Sequence, residues 1–360
     1  MLRVKKAAKL RKGSTPVNFF AAPRRREISM PATPLRRALV LCGLLLCVPP
    51  ALSRQSADLM QSTGDAAAQA ADTAPRASAI VQALLSDPPR DPAHPAAIRE
   101  LTISSHGARL PAHIYLAAGA GPHPTLLLLH GFPGNEKNLD LAQALRRFGF
   151  NVLFFHYRGA WGAEGSYRIG QLADDALAVL AWLREPGRAR ELRVDTTALG
   201  VIGHSLGGYT ALAAAARDPA LRCAVVLSPA NPGRWQAGFA AEGSDVRERL
   251  LPYADTLFML RAFDGASLAA ELASLPRSAL DTTLMAPGLA GKALLLLVGA
   301  EDTVTPPATM FEPVVAAYRA HGGIDLEARV ISGDHSFSWS RMALARQVLG
   351  WADRHCRAGA

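Results

Sequence analysis

The chain has 360 residues, of which 49% are hydrophobic and 19% charged, and its formal charge is +9. That balance excludes a chain too polar to fold and leaves enough apolar material for a sizeable core. The charge does not point to nucleic acid: residues 1–53 hold 11 Lys or Arg against one acid, Glu27, and the remainder, with 28 basic and 29 acidic residues, carries −1.

The first segment is laid out as a secretory signal. Arg36 and Arg37 precede the apolar run Ala38 to Val48, then Pro49, Pro50 and the small residues Ala51 and Ser53. Eleven apolar residues fall short of the ~20 that a spanning helix needs, so export without a stable membrane span is expected. An uncleaved anchor or a buried helix is the alternative. Met30 opens a signal of ordinary length, and residues 1–29 then read as an upstream extension. Cys42 and Cys47 fall inside the signal, where Leu41 and Leu46 replace the small residue of a lipoprotein site. Only Cys223 and Cys356 remain. They cannot make a disulfide framework; Cys223 reads as a small buried hydrophobe, with a bridge to Cys356 open in an oxidising compartment.

Residues 54–97 are rich in Ala, Pro, Ser and Asp, with DPPRDPAHP at 87–95, and read as a linker holding a short helix near Ile80 to Leu85. From residue 98 to 357 a catalytic domain is expected. Residues 99–117 alternate as two strands around Gly107, an antiparallel hairpin. Short apolar runs follow at Thr125–Leu129, Val152–Phe155, Ala198–Ile202, Cys223–Leu227, Ala293–Val298 and Glu327–Ile331. Helical stretches separate them at Leu139–Phe148, Gln171–Leu183, Gly208–Arg217, Thr309–His321 and Arg341–His355. This alternation predicts an α/β protein, a mostly parallel doubly wound sheet whose strands are covered on both faces. Residues 229–288 are too long for a connection and carry helical patches at Asp245–Leu251 and Ser267–Leu275, so they read as a helical cap inserted over the sheet. Within it, Leu257-Phe258-Met259-Leu260 suits either hydrophobic substrates or core packing.

Gly203-His204-Ser205-Leu206-Gly207 matches G-x-S-x-G, with a strand pattern before it and a helix pattern after it. A serine on so sharp a turn needs glycines on either side, where side chains would collide. From about residue 99 to 355 the chain resembles the α/β-hydrolase superfamily, especially its dienelactone-hydrolase-like and prolyl-oligopeptidase-like members. The resemblance implies a triad in the order serine, acid, histidine, with the acid after the strand that follows the cap and the histidine after the last strand. Asp302, in Leu296 to Pro306, and His335, in Gly333-Asp334-His335-Ser336-Phe337, occupy those places. Glu301 competes with Asp302, and Asp334 more weakly. A serine hydroxyl needs a base to become nucleophilic, and the base needs a carboxylate to hold its tautomer.

The oxyanion donors are expected to be the N–H groups of Leu206 and of Phe132, the latter in His130-Gly131-Phe132-Pro133-Gly134, since Pro133 has none. Trp161, in Tyr157-Arg158-Gly159-Ala160-Trp161-Gly162, reads as a pocket wall or as loop packing, and Tyr209 as a further pocket residue. His204, beside Ser205, is expected to point away from it; His130 and His156 end strands, where structural roles are commoner. The expected activity is hydrolysis of carboxylic esters through an acyl-serine, with a small acyl substrate as partner. A peptidase or amidase, an acyltransferase and a catalytically inactive binding relative remain alternatives. No metal-ligand spacing and no phosphate-binding loop is present, so no cofactor is expected.

Overall fold

The computed structural model describes residues 76–359; the signal-like segment, Met30, Cys42 and Cys47 and the start of the linker lie outside the described residues. The linker helix spans 76–85, four residues longer at its start than the sequence pattern suggests.

Among the described residues, eight strands form one sheet: β1 (Ala97–Ser105), β2 (Ala108–Leu116), β3 (His123–Leu129), β4 (Asn151–Phe155), β5 (Val194–His204), β6 (Cys223–Leu227), β7 (Ala293–Gly299) and β8 (Asp325–Ile331). Their order is β1-β2-β4-β3-β5-β6-β7-β8, with β2 antiparallel to both its neighbours and the rest parallel. The β1–β2 hairpin closes at Ser105↔Ala108 through His106 (φ 48°) and Gly107 (φ 81°), the two positive φ angles that a twist-matched two-residue turn requires.

Continuous apolar runs make sense because each strand feeds two cores. In β3, Leu127 and Leu129 face one side while Leu126 and Leu128 face the other. The helices Leu172–Arg184, Leu206–Arg217 and Glu312–His321 cover the first side, and Leu139–Arg147 and Arg341–His355 the second. β8 departs from the expectation: Asp325, Arg329 and Val330 are exposed, as befits a strand at the sheet edge. The expected helix Thr309–His321 divides into a π-helical turn, Pro307–Phe311, and a helix from Glu312.

The insertion is helical, as the sequence suggests. Its first helix, Pro232–Ala240, has no clear apolar period; its legible signal is Asn231, which caps Gly233 N–H ahead of a proline at the first turn. The Asp245–Leu251 patch forms a π-helical turn, Val246–Leu250, before the short helix Leu251–Ala254. The Ser267–Leu275 patch is the helix Gly265–Ser274, begun by a capping box at Asp264 and Ser267. The stretch from Leu257 to Leu260 is not helical: Leu257 and Leu260 are buried, but Phe258 is 93% exposed. A seam fastens this part of the cap to the body, with Trp161 N–H donating to Met259 O (2.9 Å) and Arg261 N–H to Gly159 O (2.7 Å). The Glu271 carboxylate accepts from Ile169 and Gly170 N–H (3.1 and 2.8 Å). At the two ends of the insertion, buried Asn231 donates to buried Asp281 (2.9 Å).

Cys223, on β6, and Cys356, just past the last helix, are joined by a disulfide with Cα atoms 5.5 Å apart. The structure therefore corrects the reading of Cys223 as merely a small hydrophobe. Gly200 makes room for it, since a Cβ there would lie 2.3 Å from Cys223 Sγ. The bridge spans 133 residues, so it removes much freedom from the unfolded chain. Cys356→Ser is expected to cost about 2–4 kcal/mol, read as a lower urea midpoint than the wild type under non-reducing conditions.

Candidate active site

Ser205 follows β5 directly and caps the helix Leu206–Arg217 with φ 58° and ψ −120°, a conformation that side-chain-bearing residues rarely hold. Two glycines permit it. A Cβ on Gly203 would sit 1.9 Å from Gly207 O, and one on Gly207 would sit 2.1 Å from Leu129 O. Main-chain bonds fix the turn: Ser205 N–H donates to Leu227 O and Ala230 N–H to Ser205 O, both at 2.9 Å. Gly131 lies directly against the serine, where a Cβ would be 2.9 Å from Ser205 Cβ and 3.4 Å from Oγ. The turn after β3 is thus brought onto Ser205. Among the described residues, neither Phe132 N–H nor Leu206 N–H donates to a protein acceptor.

Asp302 follows β7 and His335 follows β8. His335 Nδ1–H donates to Asp302 Oδ2 at 2.8 Å. The carboxylate also accepts from Val304 N–H (2.9 Å), Thr305 N–H (2.8 Å) and Thr305 Oγ1–H (2.8 Å). Burial works against the charge on Asp302, but the bonds from His335 and Thr305 outweigh it and hold the carboxyl below its usual range. The competing acids are engaged elsewhere. Glu301 accepts from Gly333 N–H (2.8 Å), and Asp334 accepts from Ser336 and Ser338 within its own loop.

Two ties gather these loops around the serine. Thr305 Oγ1 lies 3.1 Å from Ser228 O, one residue beyond the Leu227 carbonyl that holds Ser205. The ring of His204 packs on that of His335 with centroids 4.7 Å apart. All three candidate residues therefore stand at the carboxyl ends of β5, β7 and β8, on one rim of the sheet.

His130 and His156 are joined in one hydrogen-bonded pair beside the turn after β3. His130 Nδ1–H donates to Gly131 O (2.9 Å), and its Nε2 accepts from His156 Nδ1–H (3.3 Å). Burial pushes His130 down to about 4 and, with His130 beside it, His156 to about 3, so both rings stay neutral. Trp161 braces this assembly rather than standing as an open wall: its Nε1–H donates to Pro133 O (2.7 Å) and its ring stacks on His156. Tyr209 is also not an exposed pocket residue. It is buried, and its hydroxyl donates to Ala279 O (2.8 Å), tying the serine's helix to the cap. An aromatic group that the sequence pattern does not reveal lies on the cap side instead. The Phe132 ring meets Tyr167, Trp235, Tyr253 and Phe263, with centroids 5.5–6.3 Å away. These five come from four separate stretches, and no period or spacing links them.

The profile of the X-Pro dipeptidyl-peptidase (S15) family matches residues 106–344, about two thirds of the chain and the whole of the site. The chain belongs to that family. Solved structures similar to this S15 member share its fold. Est1E from Butyrivibrio proteoclasticus with bound ferulic acid superposes with a TM-score of 0.53 at 18% identity, covering 69% of this chain and 96% of that one. Pyrococcus horikoshii acylaminoacyl peptidase gives 0.53 at 13%, covering 74% and 42%. By sequence the S15 chain is 28% identical to esterase EstD of Thermotoga maritima over 150 residues, 38% of this chain and 34% of EstD. Its matches span 36%, 21% and 39% of the first curated relatives' own lengths. The chain is thus a member of the S15 family with the α/β-hydrolase fold.

Proposed function

We propose that this protein is an exported serine hydrolase that cleaves carboxylic esters through an acyl-serine. Ser205 is the nucleophile, His335 the general base and then acid, and Asp302 the residue that orients His335 and supports its cation. Leu206 and Phe132 N–H are the donors to the oxyanion. The observation that carries the reading is the close approach of Gly131 to Ser205, on a rim that also holds the Asp302–His335 pair; it supports Phe132 N–H, free of any protein acceptor among the described residues, as a donor. Export is supported by the Cys223–Cys356 disulfide, a bond that persists in oxidising compartments, together with the signal-like segment.

Ester rather than peptide cleavage is favoured by the partly exposed rings of Phe132, Trp235 and Tyr253 on the cap side, apolar surface suited to an acyl chain. The family match favours the second reading, a peptidase. A series of p-nitrophenyl acyl esters measured beside Xaa-Pro p-nitroanilides separates them. The expected result is a kcat/KM that rises with acyl length to a limit, with the anilides inert. Anilide turnover comparable to that of the best ester would replace the esterase reading with the peptidase one.

A further inference from the structure

One buried titratable side chain on the rim has no part in the mechanism above. His204 immediately precedes the nucleophile, is 3% exposed, and has its ring 4.7 Å from that of His335. Its Nε2–H donates to the main-chain carbonyl of His335 itself, at 2.8 Å. A buried histidine can satisfy its N–H on any nearby carbonyl; here the carbonyl belongs to the residue proposed as the base. We propose that His204 is a positioning residue for His335, coupling the strand that carries the nucleophile to the loop that carries the base. This inference rests on the proposed roles of Ser205 and His335.

The other fastenings of the 333–340 loop leave His204 a distinct task. Glu301 holds the loop at Gly333, and Arg341 holds it at Ser336 O (2.9 Å) while pairing with Asp140. Asp302 and Thr305 hold the imidazole edge at Nδ1. His204 alone among these ties the residue 335 main chain to β5, so it sets how far the imidazole stands from the serine strand. Its neutrality suits this position. Burial first, then the neighbouring His335, push it down to about 3, so it donates without adding a second positive charge beside the imidazolium formed during proton transfer. Its preferred tautomer, with the proton on Nε2, follows from the carbonyl it faces.

The test compares His204→Phe, which keeps a ring and removes the donor, with His204→Gln, whose amide can restore an N–H near Nε2. With a p-nitrophenyl ester, His204→Phe is expected to lower kcat about tenfold or more with KM within about twofold of wild type. His204→Gln is expected to recover most of the loss. Labelling by a fluorophosphonate should slow in parallel while still falling on Ser205. A kcat for His204→Phe within about twofold of wild type, or a loss that His204→Gln does not relieve, would overturn the inference. Absence of labelling at Ser205 in the wild-type protein would instead overturn the underlying serine-hydrolase reading. Circular dichroism of the folded variants identifies a variant that fails to fold, and in that case the milder His204→Asn, tested against His204→Leu, decides the same comparison.

Discussion

Replacing Ser205 by alanine is expected to lower kcat by on the order of 10⁴–10⁶ while leaving the fold intact. The size follows from the division of labour at the rim. Without the hydroxyl no acyl-enzyme can form, and the Asp302–His335 pair has no alcohol to activate. The proposed donors at Leu206 and Phe132 are untouched, so some rate above that in water should persist. Ser205 is small and only 7% exposed, and its turn is held by main-chain bonds and by Gly203 and Gly207, none of which the alanine removes. The measurement is single-substrate kinetics beside a melting curve. An alanine variant within about tenfold of wild-type turnover would remove Ser205 as the nucleophile.

The second large effect is in stability against pH. His130 and His204 are buried and neutral, pushed down to about 4 and about 3, while in the unfolded chain each titrates near the ordinary 6.5. Their folded values are depressed, so the unfolded state binds more protons between about 6.5 and those values. Their stabilisation is full above about pH 6.5 and is lost as the pH falls. Near pH 5 these two histidines alone account for nearly two protons, a slope of about 2.5 kcal/mol per pH unit. His156 acts in the same direction, and so does the lowered carboxyl of Asp302 at still lower pH. The route of failure is specific. A proton added to His130 goes to Nε2, which accepts from His156, so the bond between the two rings is lost while Nδ1–H still holds Gly131 O. Urea unfolding at pH 7, 6 and 5 should show the midpoint falling steeply. A midpoint unchanged across that range would refute the neutral-histidine account.

Much of this architecture was open to a reader of the chain, and the reasons differ by element. The central strands could be found because double coverage leaves no polar face, as in Cys223–Leu227, where the apolar run and the strand coincide. Ser205 was visible because a collision-prone turn demands glycines at fixed offsets. Asp302 could be preferred to Glu301 only through the superfamily resemblance; the deciding fact, Glu301 turning to Gly333, depends on a contact 32 residues away. For Trp161 the sequence leaves pocket wall and loop packing open, and for Tyr209 it suggests a pocket; the burial of Tyr209 and its bond to Ala279 O, and the bond of Trp161 to Pro133 O, belong to the fold rather than to the residue type. The aromatic group around Phe132 left no pattern, since its members arrive from the sheet side and from three parts of the insertion or its neighbouring loop.

The Asn231–Asp281 bond has an evolutionary consequence. Because the chain departs and returns at one buried point, with Gly233 packed so closely that a Cβ would lie 2.5 Å from Asp281 Cβ, the region between is a closed excursion. Its length and contents can change with little effect on the strand ends where the clasp survives together with the Met259–Arg261 seam and the bonds to Glu271 and Ala279. On the proposed function, substrate preference is then the property that exchange of that excursion would alter, with the proposed triad beneath it retained.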